Sequence, residues 1–135
     1  MRASVGTAHG VYELDLDDGE VVELDAKAEL APAVTVSTGL PRVLAVAASG
    51  STVVAVVDRR PPLAVSYDAG TTWNEAGNGL PRGTAIAIHP DDPDLVLYAA
   101  RNRVYLSRDG GRFWQALDAE LPEVAAITFH IPLTS

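Results

Sequence analysis

Residues 66–73 read SYDAGTTW, and residues 107–114 read SRDGGRFW, 41 positions further on. A short word repeated at a long fixed period marks a chain built from copies of one structural unit. The tetrapeptide GLPR recurs on the same scale, at 39–42 and 79–82, and the related ELPE follows at 120–123. Three apolar runs lead up to each octapeptide. They are VLAVAAS, TVVAVVD and PLAVSYD in one copy, and TAIAIHP, LVLYAAR and RVYLSRD in the next. Rich in Val, Ile, Leu, Tyr and Ala and bounded by Gly, Pro, Ser or Asp, these runs read as strands. No stretch sustains the 3.6-residue period of a helix. Four antiparallel strands, a to d, in a unit of about 40 residues are the signature of a propeller blade. Strand a carries Ala45, Ala47 and Ala48 in one copy and Ala85 and Ala87 in the next, which suits the crowded innermost position.

A third unit opens the chain. VGTAHGVYEL (5–14) aligns with YAARNRVYLS (98–107), and DLDDGEVV (15–22) fills the octapeptide slot with Asp17 and Gly19 kept. Its strand d is either EVVELDA or PAVTVST. Blade 1 then spans about residues 3–38 without an innermost strand, blade 2 spans 39–78 and blade 3 spans 79–119. Residues 123–131 form the innermost strand of a further or a partner blade. The two ends are complementary, as in the offset closure that joins first blade to last and removes open sheet edges. The fold class is therefore all-β: propeller blades, about three per chain, in a single domain of 135 residues. Propellers typically hold four to eight blades. Three leave apolar faces bare, so a homodimer completing a six-bladed ring is expected. The other reading is a piece of a longer propeller.

The word Ser-x-Asp-x-Gly-x-Thr-Trp resembles the Asp-box, or BNR repeat, of sialidases, sortilin-type receptors, some xyloglucan-active hydrolases and photosystem II assembly factors similar to Ycf48. Ser66, Asp68, Gly70, Thr72 and Trp73 match every position; Ser107, Asp109, Gly111 and Trp114 match, with Phe113 in place of Thr. The resemblance implies the propeller fold and says little of activity. In the box, Gly supplies a positive φ, Asp accepts backbone N–H bonds across the c–d turn, and Trp fills the gap between sheets. These residues are expected to be structural.

Residue types that would mark catalysis do not converge. Sialidases resembling this fold use three arginines, a Tyr–Glu pair and an acidic Asp. Tyr12, Tyr98 and Tyr105 lie mid-strand, Tyr67 lies in a box turn, and none pairs with a Glu. Glycosidases need two carboxylates about 5–10 Å apart, and no such pair stands out. Nucleotide-binding and H-E-x-x-H motifs are absent. His9, His89 and His130 fall in different units, and there is no Cys, so neither a metal nor a cofactor is expected. A net charge of −8 argues against nucleic acid and anionic membranes. No run of 18 apolar residues and no secretory leader is visible, and a cytoplasmic location is expected. One Lys against nine Arg suits a GC-rich genome or a salt-loving host.

The charges nevertheless sort. In a four-stranded meander the b–c and d–a turns share one end of the blade. Arg42 and Arg82 fall in d–a turns, and Arg59, Arg60, Arg101 and Arg103 in b–c turns. Asp15, Asp17, Asp18, Glu20, Asp68, Asp91, Asp92, Asp94 and Asp109 fall at the other end. Guanidinium forks suit carboxylates and phosphates; the alternative is that these arginines pair locally with Asp58, Asp118, Glu120 and Glu123, which share their end. The expected function is a non-catalytic binding or scaffold module whose arginine face takes an anionic small molecule, a carboxylated glycan or an acidic protein segment. The competing readings are a glycoside hydrolase-like enzyme with its site at the ring axis, and an assembly factor.

Overall fold

Apolar side chains fill consecutive positions of TVVAVV (52–57) and LAVS (63–66), so these segments present an apolar side chain to both faces of a sheet. Both are buried along their whole length, as strands covered on two sides must be. The computed structural model describes residues 2–7, 9–17, 20–25, 42–117 and 120–130. They form three antiparallel four-stranded sheets. The first holds β1 (Arg2–Thr7), β2 (Gly10–Asp15), β3 (Val21–Asp25) and β12 (Val124–His130), in the order β12-β1-β2-β3. The second runs β4 (Val43–Ser49), β5 (Thr52–Val57), β6 (Leu63–Ser66), β7 (Asn74–Ala76). The third runs β8 (Ala85–His89), β9 (Asp92–Ala100), β10 (Arg103–Ser107), β11 (Gln115–Ala116).

Segment EVVELDA supplies β3, which settles strand d of the first sheet; PAVTVST lies outside the described residues. β9 begins at Asp92, earlier than the apolar run LVLYAAR suggests, because Pro93 and Asp94 continue the extended chain. The expected assignment of residues 123–131 to a further or partner blade is corrected. β12 pairs with β1 of its own chain, from Arg2 opposite His130 to Thr7 opposite Val124, with a bulge at Gly6/Thr7. The reason is geometric. The strand that leaves the third sheet lands beside β8, and the open edge of β1 comes to meet it there.

The third sheet is the middle layer. Ala85, Ala87, Leu97, Ala99, Val104 and Leu106 pack towards Ala3, Val5, Leu14, Ile127 and Phe129 of the first sheet. On the reverse side Ile86, Ile88, Val96 and Tyr98 pack towards Val54, Val56, Leu63 and Val65 of the second. Alanine at 85 and 87 lets β12 approach β8, and Ala45 and Ala47 let β4 approach it from the other side. The layers therefore follow the order second, third, first. Two bare apolar faces are not found at the described residues. The far side of the first sheet carries the Arg2–Glu13 ion pair (2.8 Å) with Ser4 and Thr128, and Val53, Ala55, Val57 and Ala64 on the far side of the second are buried.

Candidate functional site

Each octapeptide closes the turn between the third and fourth strands of its sheet through one carboxylate. At residues 66–73 the Ser66 hydroxyl donates to Asp68 Oδ1 (2.7 Å) and accepts from the Gly70 amide (2.8 Å). The Thr72 amide donates to Asp68 Oδ1 (2.8 Å) and its hydroxyl to Oδ2 (2.5 Å). These donors, the Thr72 hydroxyl foremost, then the Thr72 amide and Ser66, hold the Asp68 carboxyl down to about 2. At 107–114 the pattern recurs: Ser107 Oγ to Asp109 Oδ1 (2.8 Å), Gly111 N to Ser107 Oγ (2.9 Å) and Phe113 N to Asp109 Oδ1 (3.0 Å). Burial pushes the Asp109 carboxyl up, but the Phe113 amide, the Ser107 hydroxyl and the Arg112 amide outweigh it and leave it below the usual carboxylate range. Gly70 and Gly111 hold φ at 91° and 95°, a backbone state that a side chain resists. Both oxygens of Asp68, and Oδ1 of Asp109, are thus engaged in holding the turn.

The tryptophans differ. Trp114 packs on the core between the second and third sheets, 5.8 Å from the Tyr98 ring, and its indole N–H donates to the Gly111 carbonyl (3.0 Å). Trp73, at the equivalent place in the second sheet, is half-buried and belongs to neither core. Tyr98 is fully buried and donates its hydroxyl to the Pro81 carbonyl; burial pushes that phenol up. Tyr98 and Tyr105 face each other in blade packing, as their mid-strand positions suggest.

At the opposite end of the sheets lie the expected arginines. Asp58 donates its amide to the Arg42 carbonyl (3.0 Å), and its carboxylate pairs with Arg82 Nε (3.3 Å), which joins the second sheet to the third. Arg59 and Arg60 follow Asp58 in the β5–β6 turn. Arg101 lies on the β9–β10 turn, where its carbonyl accepts from the Val124 amide (2.6 Å), and Arg103 begins β10. Arg42 and Arg101 both hold positive φ, 58° and 55°. Among the described residues, Arg82 is the only one of the six in an ion pair. His9 sits in the β1–β2 turn, His89 ends β8 with its ring 5.2 Å from that of Phe129, and His130 ends β12.

A groove that the sequence does not announce runs between the second and third sheets, from the octapeptide of the third to the β7–β8 turn of the second. It is open to solvent, measures about 680 Å³ and is lined by β7, the Gly77–Leu80 turn and residues 111–114, with Tyr67 at its side. Arg112 lies 4.9 Å from the Tyr67 ring centroid, and the Tyr67 hydroxyl donates to the Gly110 carbonyl (3.1 Å). Phe113 is 79% exposed at the rim. The available signal was Phe113 itself, an aromatic standing where the repeat has a hydroxyl.

No protein-family model and no curated protein matches the chain. Solved structures do. The GH74 enzyme of Niastella koreensis is 25% identical with a TM-score of 0.50, over 90% of this chain and 18% of that one. A structure described as YCF48 bound to D1 peptide is 19% identical with a TM-score of 0.52, over 90% of this chain and 42% of that one. The chain spans less than half the length of either. The class defined by three stacked antiparallel sheets and these likenesses is a β-propeller-like, all-β protein. No helix among the described residues is long and apolar enough to cross a membrane.

Proposed function

We propose that this chain is a non-catalytic binding or scaffold module of the Asp-box propeller class, and that its arginine-bearing end receives an anionic group. The observation that carries the reading is the set of arginines on the turns at one end of the sheets, Arg42, Arg59, Arg60, Arg82, Arg101 and Arg103, of which Arg82 alone is ion-paired, to Asp58, among the described residues, in a protein whose net charge is −8. Gathering cations costs self-repulsion, which an anion relieves through paired guanidinium N–H donors. Positive φ at Arg42 and Arg101 adds a backbone cost of roughly 1 kcal/mol each, which points in the same direction. The test is thermal shift with sulfate, citrate and glucuronate at fixed ionic strength. An anion that raises the melting temperature of the wild type and not of Arg42→Ala/Arg82→Ala supports the site. Equal shifts in both sink it.

The same reading includes a second copy. β4, Val43–Ser49, is an edge strand with only apolar residues before Ser49, and Leu44 is 44% exposed. Trp73 stands half-buried where its counterpart Trp114 has a neighbouring sheet against it. A second chain seated along β4 and the Trp73 edge, outside the already buried Val53, Ala55, Val57 and Ala64, would complete a six-bladed ring. Light scattering checks it: about 28 kDa, twice the 14.2 kDa chain, is expected, and 14.2 kDa overturns it.

The likeness to the GH74 enzyme keeps a glycoside hydrolase-like reading in view. Turnover of aryl-glycosides by the full chain, abolished by a single carboxylate substitution, would replace the binding-module reading.

A further inference from the structure

We propose that Asn78 is a self-modifying site: the Gly79 backbone nitrogen displaces its side-chain amide, and the product adds a carboxylate to the arginine-bearing end. The turn sets up the reaction. Leu80 N donates to the Gly77 carbonyl (3.0 Å), and Gly79 holds φ at 85° while Asn78 keeps a negative φ. That is a type II turn, whose central peptide, between Asn78 and Gly79, takes no part in the closing bond. Among the described residues, neither the Gly79 amide nor the Asn78 side chain has a hydrogen-bond partner. Both residues are exposed, and a Cβ on Gly79 would meet nothing within 4 Å. The nucleophile is uncommitted, its target turns freely, and no side chain on the following residue hinders the approach.

Other places where such a ring closure is conceivable are blocked. At Asp109–Gly110 the Gly110 amide donates to the Asp94 carbonyl (3.0 Å), and Asp109 Oδ1 is held by Ser107 and Phe113. Asp68 precedes Ala69, whose amide donates to the Ser51 carbonyl (2.8 Å). Asn74 lies in the β6–β7 ladder before Glu75, and Asn102 precedes Arg103, so a Cβ stands beside each attacking nitrogen.

The chemistry balances with water alone. The Gly79 nitrogen bonds to Asn78 Cγ, the Cγ–Nδ2 bond breaks, and ammonia leaves with the Gly79 amide proton. Water then opens the cyclic imide at Cγ, giving aspartate, or at the Asn78 main-chain carbonyl, giving isoaspartate. Either product carries a negative charge where the amide carried none. It stands in the β7–β8 connection four residues before Arg82, the arginine paired with Asp58. There it competes with an incoming anion for guanidinium N–H donors. This consequence rests on the anion site proposed for that end; the modification itself does not.

The test is peptide mapping by mass spectrometry of the full chain after storage at pH 8 and at pH 5, with cleavage at Glu75 to separate Asn74 from Asn78. At pH 8 the Asn78 peptide should gain about 1 Da and split into aspartate and isoaspartate forms, about tenfold faster than Asn74 or Asn102. At pH 5, where fewer amide nitrogens lose their proton, the gain should lag. Citrate should raise the melting temperature of Asn78→Asp less than that of the wild type, and Asn78→Gln should match the wild type. Conversion of Asn78 no faster than that of Asn74 overturns the site. Equal citrate shifts in wild type and Asn78→Asp overturn its effect on the arginine end and leave the anion reading standing. No citrate shift in the wild type overturns the anion reading and that effect together, while the mapping still decides the chemistry at Asn78.

Discussion

The Tyr67 hydroxyl donates to the Gly110 carbonyl across 3.1 Å, tying the octapeptide turn of the second sheet to that of the third. Arg108 occupies the equivalent place one repeat later and reaches Asp17 of the first sheet at 3.7 Å. One variable position of the repeated word thus spans each gap between layers, by a short hydrogen bond in one case and a loose exposed ion pair in the other. Tyr67→Phe keeps the ring under Arg112 and removes only the bond. It should cost about 0.5–1.5 kcal/mol in urea unfolding. Arg108→Ala should cost less than about 1 kcal/mol. Equal, large losses in both would mean that the turns do more than these contacts.

Asp68 makes acid stability a readout of the turn. Its carboxyl is held down to about 2 in the folded chain against 3.8 ordinarily, so the unfolded chain binds the proton first. The stabilisation is complete above pH 4 and is lost as pH falls from about 4 towards 2. Thermal melts from pH 7 to pH 2 should show that loss, and Asp68→Asn should flatten it while lowering stability at pH 7. A variant as acid-sensitive as the wild type contradicts this assignment.

Gly83 is buried, and a Cβ there would fall on the ring and hydroxyl of Tyr98. Tyr98 cannot yield, because it is fully buried and its hydroxyl is committed to the Pro81 carbonyl. Gly83→Ala should therefore cost about 1–3 kcal/mol, the range for overpacking, with an unchanged m-value. Gly50, which has open space around its Cβ position, tests backbone strain alone through Gly50→Ala.

Ser4 and Thr128 face each other across the β1–β12 ladder, and the chain contains no cysteine. Directly opposed residues in an antiparallel pair stand within disulfide reach. Ser4→Cys/Thr128→Cys should oxidise within one chain and run as a monomer on a non-reducing gel. A covalent dimer at low protein concentration would place β12 on the partner's first sheet instead.

The strands were legible in the sequence because a strand is a local event. Runs such as TVVAVV and LVLYAA carry their own apolar pattern, and Ser66, Asp68 and Gly70 encode a turn within eight residues. Sorting the arginines to one end needed only the alternation of turns in a meander. Three things needed the third dimension. Which sheet β12 joins depends on β8 lying between β4 and β12, a contact between segments remote in sequence. The ion pair between Arg82 and Asp58 depends on how two sheets meet at their ends. The groove beside Tyr67 exists only because β7 and residues 111–114 come from neighbouring layers. Local pattern sets each unit; packing between units, fixed by the small residues of β4 and β8 and by the tyrosine at 98, decides what they enclose.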